Sequence, residues 1–154
     1  MFVCHGNICR SPMAELLFKD MLKGAGLESE YTVASSATSH EEEGNAVYPP
    51  VRALLSSYGI SAKGKYATVL TRSDYAKYDM FIAMDSYNVR NVFRIFGDDP
   101  EGKVVKLLDF TEKGGDVRDP YYSGDFNGAY ADISEGLKAL LCKLTESKNG
   151  KYDN

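Results

Sequence analysis

The stretch MFVCHGNICRSP, residues 1–12, holds two cysteines, an arginine, a glycine and a Ser-Pro step. Cys4 and Arg10 enclose the residues HGNIC. The stretch is either a helix start that carries two thiols or a loop built around an anion. Its flanks decide. MFV reads as the tail of a strand. Ser11 suits an N-cap, with Pro12 at the first helical position. Beyond it, Ala14, Leu17, Phe18, Met21, Leu22 and Ala25 share one helical face over 11–26, and Gly24 and Gly26 supply the stop. HGNICRS is then the turn from a strand into a helix. Only three residues precede Cys4, so either the first strand is short or the chain begins late.

The rest of the chain repeats this alternation. YTVASS (31–36) reads as a short strand. A helix starts at Pro49-Pro50, with Val51, Leu54, Leu55 and Tyr58 as its apolar stripe and Gly59 as its end. DMFIAMD (79–85) looks like a buried parallel strand, and SYNVRNVFRIF continues as a helix. KVVKLLD (103–109) is a further strand. The last helix carries Tyr130, Ile133, Leu137, Leu140, Leu141 and Leu144, with Cys142 expected in the core. One α/β domain over 1–146 follows, with a polar, flexible tail over 147–154. In such sheets ligands bind at the carboxyl ends of the strands, which is where HGNICRS lies.

A loop at that place can aim its backbone N–H groups, and those of the helix start, at a tetrahedral oxyanion. His5, Gly6, Asn7, Ile8, Cys9, Arg10 and Ser11 form this candidate phosphate-binding set. Gly6 allows positive φ and close approach. Asn7 tolerates the left-handed conformation and can tie the loop to itself. Arg10 closes the ring with a planar fork that keeps its charge. Cys4 sits at the bottom. A free thiol has a pKa of about 8.5. The helix start, Arg10 and the Ser11 hydroxyl all favour the thiolate. A thiolate beneath a bound phosphate is placed for in-line attack on phosphorus.

Composition narrows the alternatives. The chain has 154 residues, 44% hydrophobic and 26% charged, with a formal net charge of −4. That balance argues against nucleic acid as a partner. No apolar run approaches the roughly 20 residues of a membrane span, and no signal peptide is evident. Three cysteines do not make a secreted disulfide framework. A cytoplasmic monomer is expected. Cys4 and Cys9 are the only clustered thiols, and zinc sites draw on tighter pairs, so neither metal nor other cofactor is expected.

CHGNICRSP resembles the phosphate-binding loop of the low-molecular-weight protein tyrosine phosphatases, whose pattern is C-x-G-N-x-C-R-S-P. The similarity runs from Met1 to about Leu144. It implies a three-layer α/β sandwich with a four-stranded parallel sheet flanked by helices, the phosphate-binding loop following the first strand. It implies hydrolysis of phosphotyrosine and small aryl phosphates through a phosphocysteine on Cys4, with Arg10 on the phosphate, Ser11 favouring the thiolate and Asn7 propping the loop. Phosphotyrosine proteins, a cognate tyrosine kinase among them, would be partners, and inorganic phosphate or other oxyanions inhibitors. The family's downstream D-P-Y element matches Asp119-Pro120-Tyr121, which makes Asp119 the general acid. Tyr121 and Tyr122 would wall the phenyl ring, the lesser alternative for Tyr122 being a surface loop residue. Ser35 matches the serine that bonds the loop asparagine, and Asp85 a structural acid after the third strand. Cys9 either packs or guards Cys4 by forming a disulfide with it.

Two departures stand out. Where many relatives place a loop-supporting histidine after the second helix, Lys65 or a neighbour lies. Where many place an aromatic residue in the specificity loop, this chain has His40-Glu41-Glu42-Glu43, an acidic rim that disfavours acidic phosphopeptides. His5 stands where an apolar residue is common. Two rivals share the fold. An arsenate reductase needs relay cysteines, and none lies between Cys9 and Cys142. A protein-arginine phosphatase carries Thr where this chain has Ile8.

Overall fold

The computed structural model describes residues 1–150. Four parallel strands form one sheet in the order β2-β1-β3-β4. They are β1 (Phe2–Cys4), β2 (Ser35–Ala37), β3 (Phe81–Ala83) and β4 (Val104–Lys106). In register, Phe2 faces Ser35 and Ile82, and Ile82 faces Val105. Three residues of β1 suffice because it is central and paired on both sides. The amino group of Met1 extends that pairing by donating to the Met80 carbonyl at 2.7 Å.

β3 and β4 are shorter than the runs 79–85 and 103–109, because polar side chains at their ends claim the backbone. Asp85 ends the β3 segment by capping the next helix. Its Oδ1 accepts from the Asn88 N–H at 2.7 Å. Asp109 turns the chain after β4 by accepting from the Lys106 N–H at 3.1 Å. Residues 107–110 are therefore a 3-10 turn rather than strand. Of the segment 31–36 only its last two residues enter β2.

The helices are α1 (Arg10–Gly24), α2 (Pro49–Ser57), α3 (Ser86–Phe96), a single turn α4 (Pro120–Ser123) and α5 (Phe126–Asn149). Alternation along the strands divides the core in two. Phe2 and Ile82 point to the side covered by α1, α2 and α5, among Met13, Leu17, Phe18, Leu55, Ile133 and Leu137. Val3 and Phe81 point to the other side, where Val92 and Phe96 of α3 meet them. The result is the expected three-layer sandwich. α5 approaches closely at Gly136, where a Cβ would lie 2.5 Å from Leu107 Cγ, so only glycine fits without displacing that side chain.

Several expectations change. The N-cap of α1 is Cys9, not Ser11, and no side chain caps this helix. The Ser11 hydroxyl is committed to the loop instead. Tyr58 is 53% exposed and stacks on Tyr130 at 4.5 Å rather than packing inward. Cys142 is exposed, not core. The buried face of α5 is set by Ile133, Leu137 and Leu140, and a residue two positions beyond Leu140 is turned about 200° away from it. The tail expected over 147–154 is helical to Asn149. The Ser147 hydroxyl bonds the Lys143 carbonyl at 3.0 Å, and Lys148 pairs with Glu30 and lies over the Tyr31 ring. Residues 151–154 of that tail lie outside the described residues. Among the described residues no helix is long and apolar enough to cross a membrane.

Candidate active site

The loop leaves the carboxyl end of β1 and feeds α1. Its residues from Cys4 to Arg10 line a pocket whose walls come from two distant segments, Glu41 and Glu42 on one and Asp119, Tyr121 and Tyr122 on the other. The sharp bend falls on Asn7, at φ 59°. Asn7 thus takes the left-handed conformation it was expected to tolerate, and Gly6 does not use its freedom to adopt positive φ. It is needed for close approach, since a Cβ there would lie 3.3 Å from Glu42 Cγ.

Asn7 holds the bend through three hydrogen bonds. Its Oδ1 accepts from the Thr68 N–H at 3.1 Å. Its amide donates to the Ser11 Oγ at 2.8 Å and to the Ser35 Oγ at 2.9 Å. Because Asn7 fills an acceptor site on Ser11, the Ser11 hydroxyl hydrogen is free to point at Cys4 Sγ, 2.9 Å away. The Asn7 N–H also donates to that sulfur, at 3.3 Å. Ser11 does not line the pocket. It lies beneath the floor, fully buried.

Ser35, as expected, bonds the loop asparagine, and it passes the order onward. Its hydroxyl donates to Glu15 Oε1 at 2.7 Å. Glu15 is buried, yet paired with Lys19 at 2.8 Å and Lys65 at 3.1 Å. Burial pushes the Glu15 carboxyl up, but the bonds from Lys19 and Ser35 and the charge of Lys65 outweigh it and hold the group below its ordinary value. Lys65 also donates to the Ser35 carbonyl at 3.2 Å. A lysine–glutamate pair therefore stands behind the loop. Sequence reasoning placed Lys65 there but missed Glu15, whose signal was a charge on the face of α1 that carries Ser11.

Arg10 is 3% exposed. Its Nη1 donates to Asp85 Oδ2 at 2.7 Å and to the Val117 carbonyl at 3.0 Å, and its Nη2 to Asp119 Oδ2 at 3.3 Å. Burial alone would lower its pKa. Cys4, the bond to Asp85 and the charges of Asp119 and Asp85 together raise it. Asp85 thus caps α3 with one oxygen and aims Arg10 with the other. Cys9 is buried in the same floor. Burial first, then the neighbouring Cys4 and Asp119, push its thiol up to about 12, with Arg10 offsetting only part.

Asp119 is the N-cap of α4, its Oδ1 accepting from the Tyr121 N–H at 3.1 Å. The Tyr121 ring rests 5.5 Å from Tyr48, which in turn lies 6.0 Å from Phe126. Tyr48 was not singled out from sequence, although its backbone N–H also bonds the Ile8 carbonyl of the loop at 2.9 Å. Tyr122 is 84% exposed and touches Tyr121 edge-on.

A tight loop at a helix start, with one N–H turned on a thiol at its base, a buried guanidinium and an aspartate at the mouth, can bind a tetrahedral oxyanion and attack it. The comparisons agree with that chemistry. Residues 1–150 match the family model "Low molecular weight phosphotyrosine protein phosphatase". The chain belongs to this family. It is 35% identical over 150 residues to the low molecular weight protein-tyrosine-phosphatase YfkJ of Bacillus subtilis, covering 96% of each chain. It is 39% identical over 146 residues to the low molecular weight phosphotyrosine protein phosphatase of Schizosaccharomyces pombe, covering 92% of this chain and 93% of that one. The crystal structure of YfkJ superposes with a TM-score of 0.91, covering 96% of this chain and 94% of that chain.

Proposed function

We propose that this protein tyrosine phosphatase uses Cys4 as its nucleophile, Arg10 as its phosphate clamp and Asp119 as its acid and base. The Cys4 thiolate attacks phosphorus, and the bond from phosphorus to the aryl oxygen breaks. Asp119, protonated, gives its proton to the departing phenolate, whose conjugate acid has a pKa of about 10. Water then attacks the phosphocysteine, Asp119 takes its proton, and the P–S bond breaks to release phosphate and the thiolate. The loop N–H groups and Arg10 carry the charge of the equatorial oxygens through both steps. Gly6, Ile8 and Cys9 contribute to the cradle through their backbone, Asn7 and Ser11 hold the sulfur beneath it, and Tyr121 and Tyr122 flank the aryl ring.

The observation that carries this reading is the pair of groups held against Cys4 Sγ, the Ser11 hydroxyl at 2.9 Å and the donating Asn7 N–H at 3.3 Å. With its thiol pushed up to about 12, Cys9 stays protonated at neutral pH. While Cys4 is reduced it therefore packs as a neutral thiol, and beside Cys4 it is the residue that would form a protective disulfide once that sulfur is oxidised. Substrates are phosphotyrosine-bearing proteins, a cognate tyrosine kinase among them, and inorganic phosphate competes. An assay with chelator present, comparing phosphotyrosine, phosphoserine, phosphoarginine and arsenate, tests the reading. Turnover of phosphotyrosine is expected. Activity confined to phosphoarginine, or to arsenate with a thiol reductant, would overturn it.

A further inference from the structure

His5 and the Glu41-Glu42 pair remain unused by the chemistry above, although all three line the pocket. The turn that carries the glutamates is fastened to the phosphate loop. The Ser39 N–H and hydroxyl both donate to the His5 carbonyl, at 3.1 Å and 3.0 Å. The His5 Nε2 lies 3.0 Å from Glu41 Oε2. The Glu42 stem packs on Gly6, and its Oε2 accepts from Asn45 Nδ2 at 2.7 Å. Both carboxylates are thus held in place beside the mouth.

The cations nearby are spoken for. Arg10 is matched by Asp85 and Asp119 at the floor. Arg118, next to Asp119 in sequence, is matched by Asp125 and Asp132. His40 is bonded to Glu43. Arg90 lies over the Tyr87 ring, beyond His5. A phosphate dianion is accommodated by the floor, but residues on either side of a phosphotyrosine pass Glu41 and Glu42. An acidic neighbour meets like charge there, and a basic one finds carboxylates already oriented.

We propose that Glu41, held by His5, and Glu42 are specificity-determining residues that select phosphotyrosine segments flanked by lysine or arginine. This rests on the phosphotyrosine phosphatase reading. Its test uses three phosphotyrosine peptides that differ only in having lysine, alanine or glutamate beside the phosphotyrosine, with an aryl phosphate that carries no charge besides its phosphate measured alongside. The kcat/KM of the wild-type protein should favour the lysine peptide over the glutamate peptide by about tenfold at low salt, and the preference should shrink at high salt. The double variant Glu41→Lys with Glu42→Lys should reverse the order. His5→Asn, which releases Glu41, should narrow the ratio by a few-fold. Turnover of the aryl phosphate with equal kcat/KM for all three peptides sinks the inference and leaves the phosphatase reading intact. A preference that survives the double variant unchanged also overturns it. No turnover of any phosphotyrosine substrate would instead overturn the phosphatase reading.

Discussion

Cys4, Asn7, Arg10 and Ser11, at the floor of the pocket, are between 0% and 4% exposed. At its rim the Glu41 side chain is 71% exposed and Tyr122 84%. Every polar group described at the floor answers to another. Asn7 orders Ser11 and Ser35, and Ser35 orders onto Glu15. The rim side chains are held by one contact each, or by packing alone. A buried network of this kind loses much when one member goes, because its partners are left unpaired where water cannot replace them. An exposed contact is weak and screened. The floor is thus suited to fixed chemistry and the rim to tuning which molecules enter.

Changing Cys4 to Ser attacks the floor at its reacting atom. Turnover of aryl phosphates should fall below detection while phosphate or vanadate still binds, as titration would show. Retained turnover would remove Cys4 from the nucleophile's place. Asp119→Ala acts at the boundary of floor and rim. It should slow substrates with poor leaving groups by roughly 10²–10⁴-fold and those with good leaving groups far less. A uniform loss across leaving groups would mean that Asp119 only positions Arg10.

Glu15→Gln probes the base of the floor from behind. It leaves Lys65 without its buried partner and should cost about 3 kcal/mol in denaturant unfolding. Glu15 titrates lower folded than unfolded, so its contribution is complete above the ordinary glutamate value of 4.5 and is lost as pH falls through the folded value. The acid side of the stability profile should therefore flatten in this variant. An unchanged profile would mean that the Lys65 pair is decorative. Tyr122→Ala lies at the other extreme. Stability should change by no more than about 0.5 kcal/mol, with KM for aryl phosphates rising a few-fold at most. A large stability loss there would erase the contrast between floor and rim.

The floor was legible because it is local. C-x5-R with Gly, Asn and Ser between a strand and a helix lies within one turn of chain, so its sequence nearly spells its geometry. The alternation of apolar runs likewise gave the strands and helices, while the split of Phe2 from Val3 across the sheet appeared only in the fold. What failed was local in a different way. Gly6 and Asn7 were both read as tolerating positive φ, and the bend falls on Asn7 alone because the buried sites for its amide lie on Thr68, Ser35 and Ser11. Ser11 was read both as a cap and as a partner of Cys4, and it is not the cap: its hydroxyl lies against the sulfur. Cys142 was read as core from its apolar neighbours, although helical rotation carries it outward.

The sequence alone determined the class of fold, the place of the loop at a strand's carboxyl end, and the family, since these follow from periodicity and from one dense motif. Only the tertiary structure decided that Asp85 and Val117 aim Arg10, that Glu15 and Lys65 brace Ser35, and that Glu41 leans on His5. These contacts join residues 20 to 107 positions apart. No local pattern encodes such pairings. They exist because the parallel sheet brings the carboxyl ends of its strands to one edge, where polar groups removed from water must find each other.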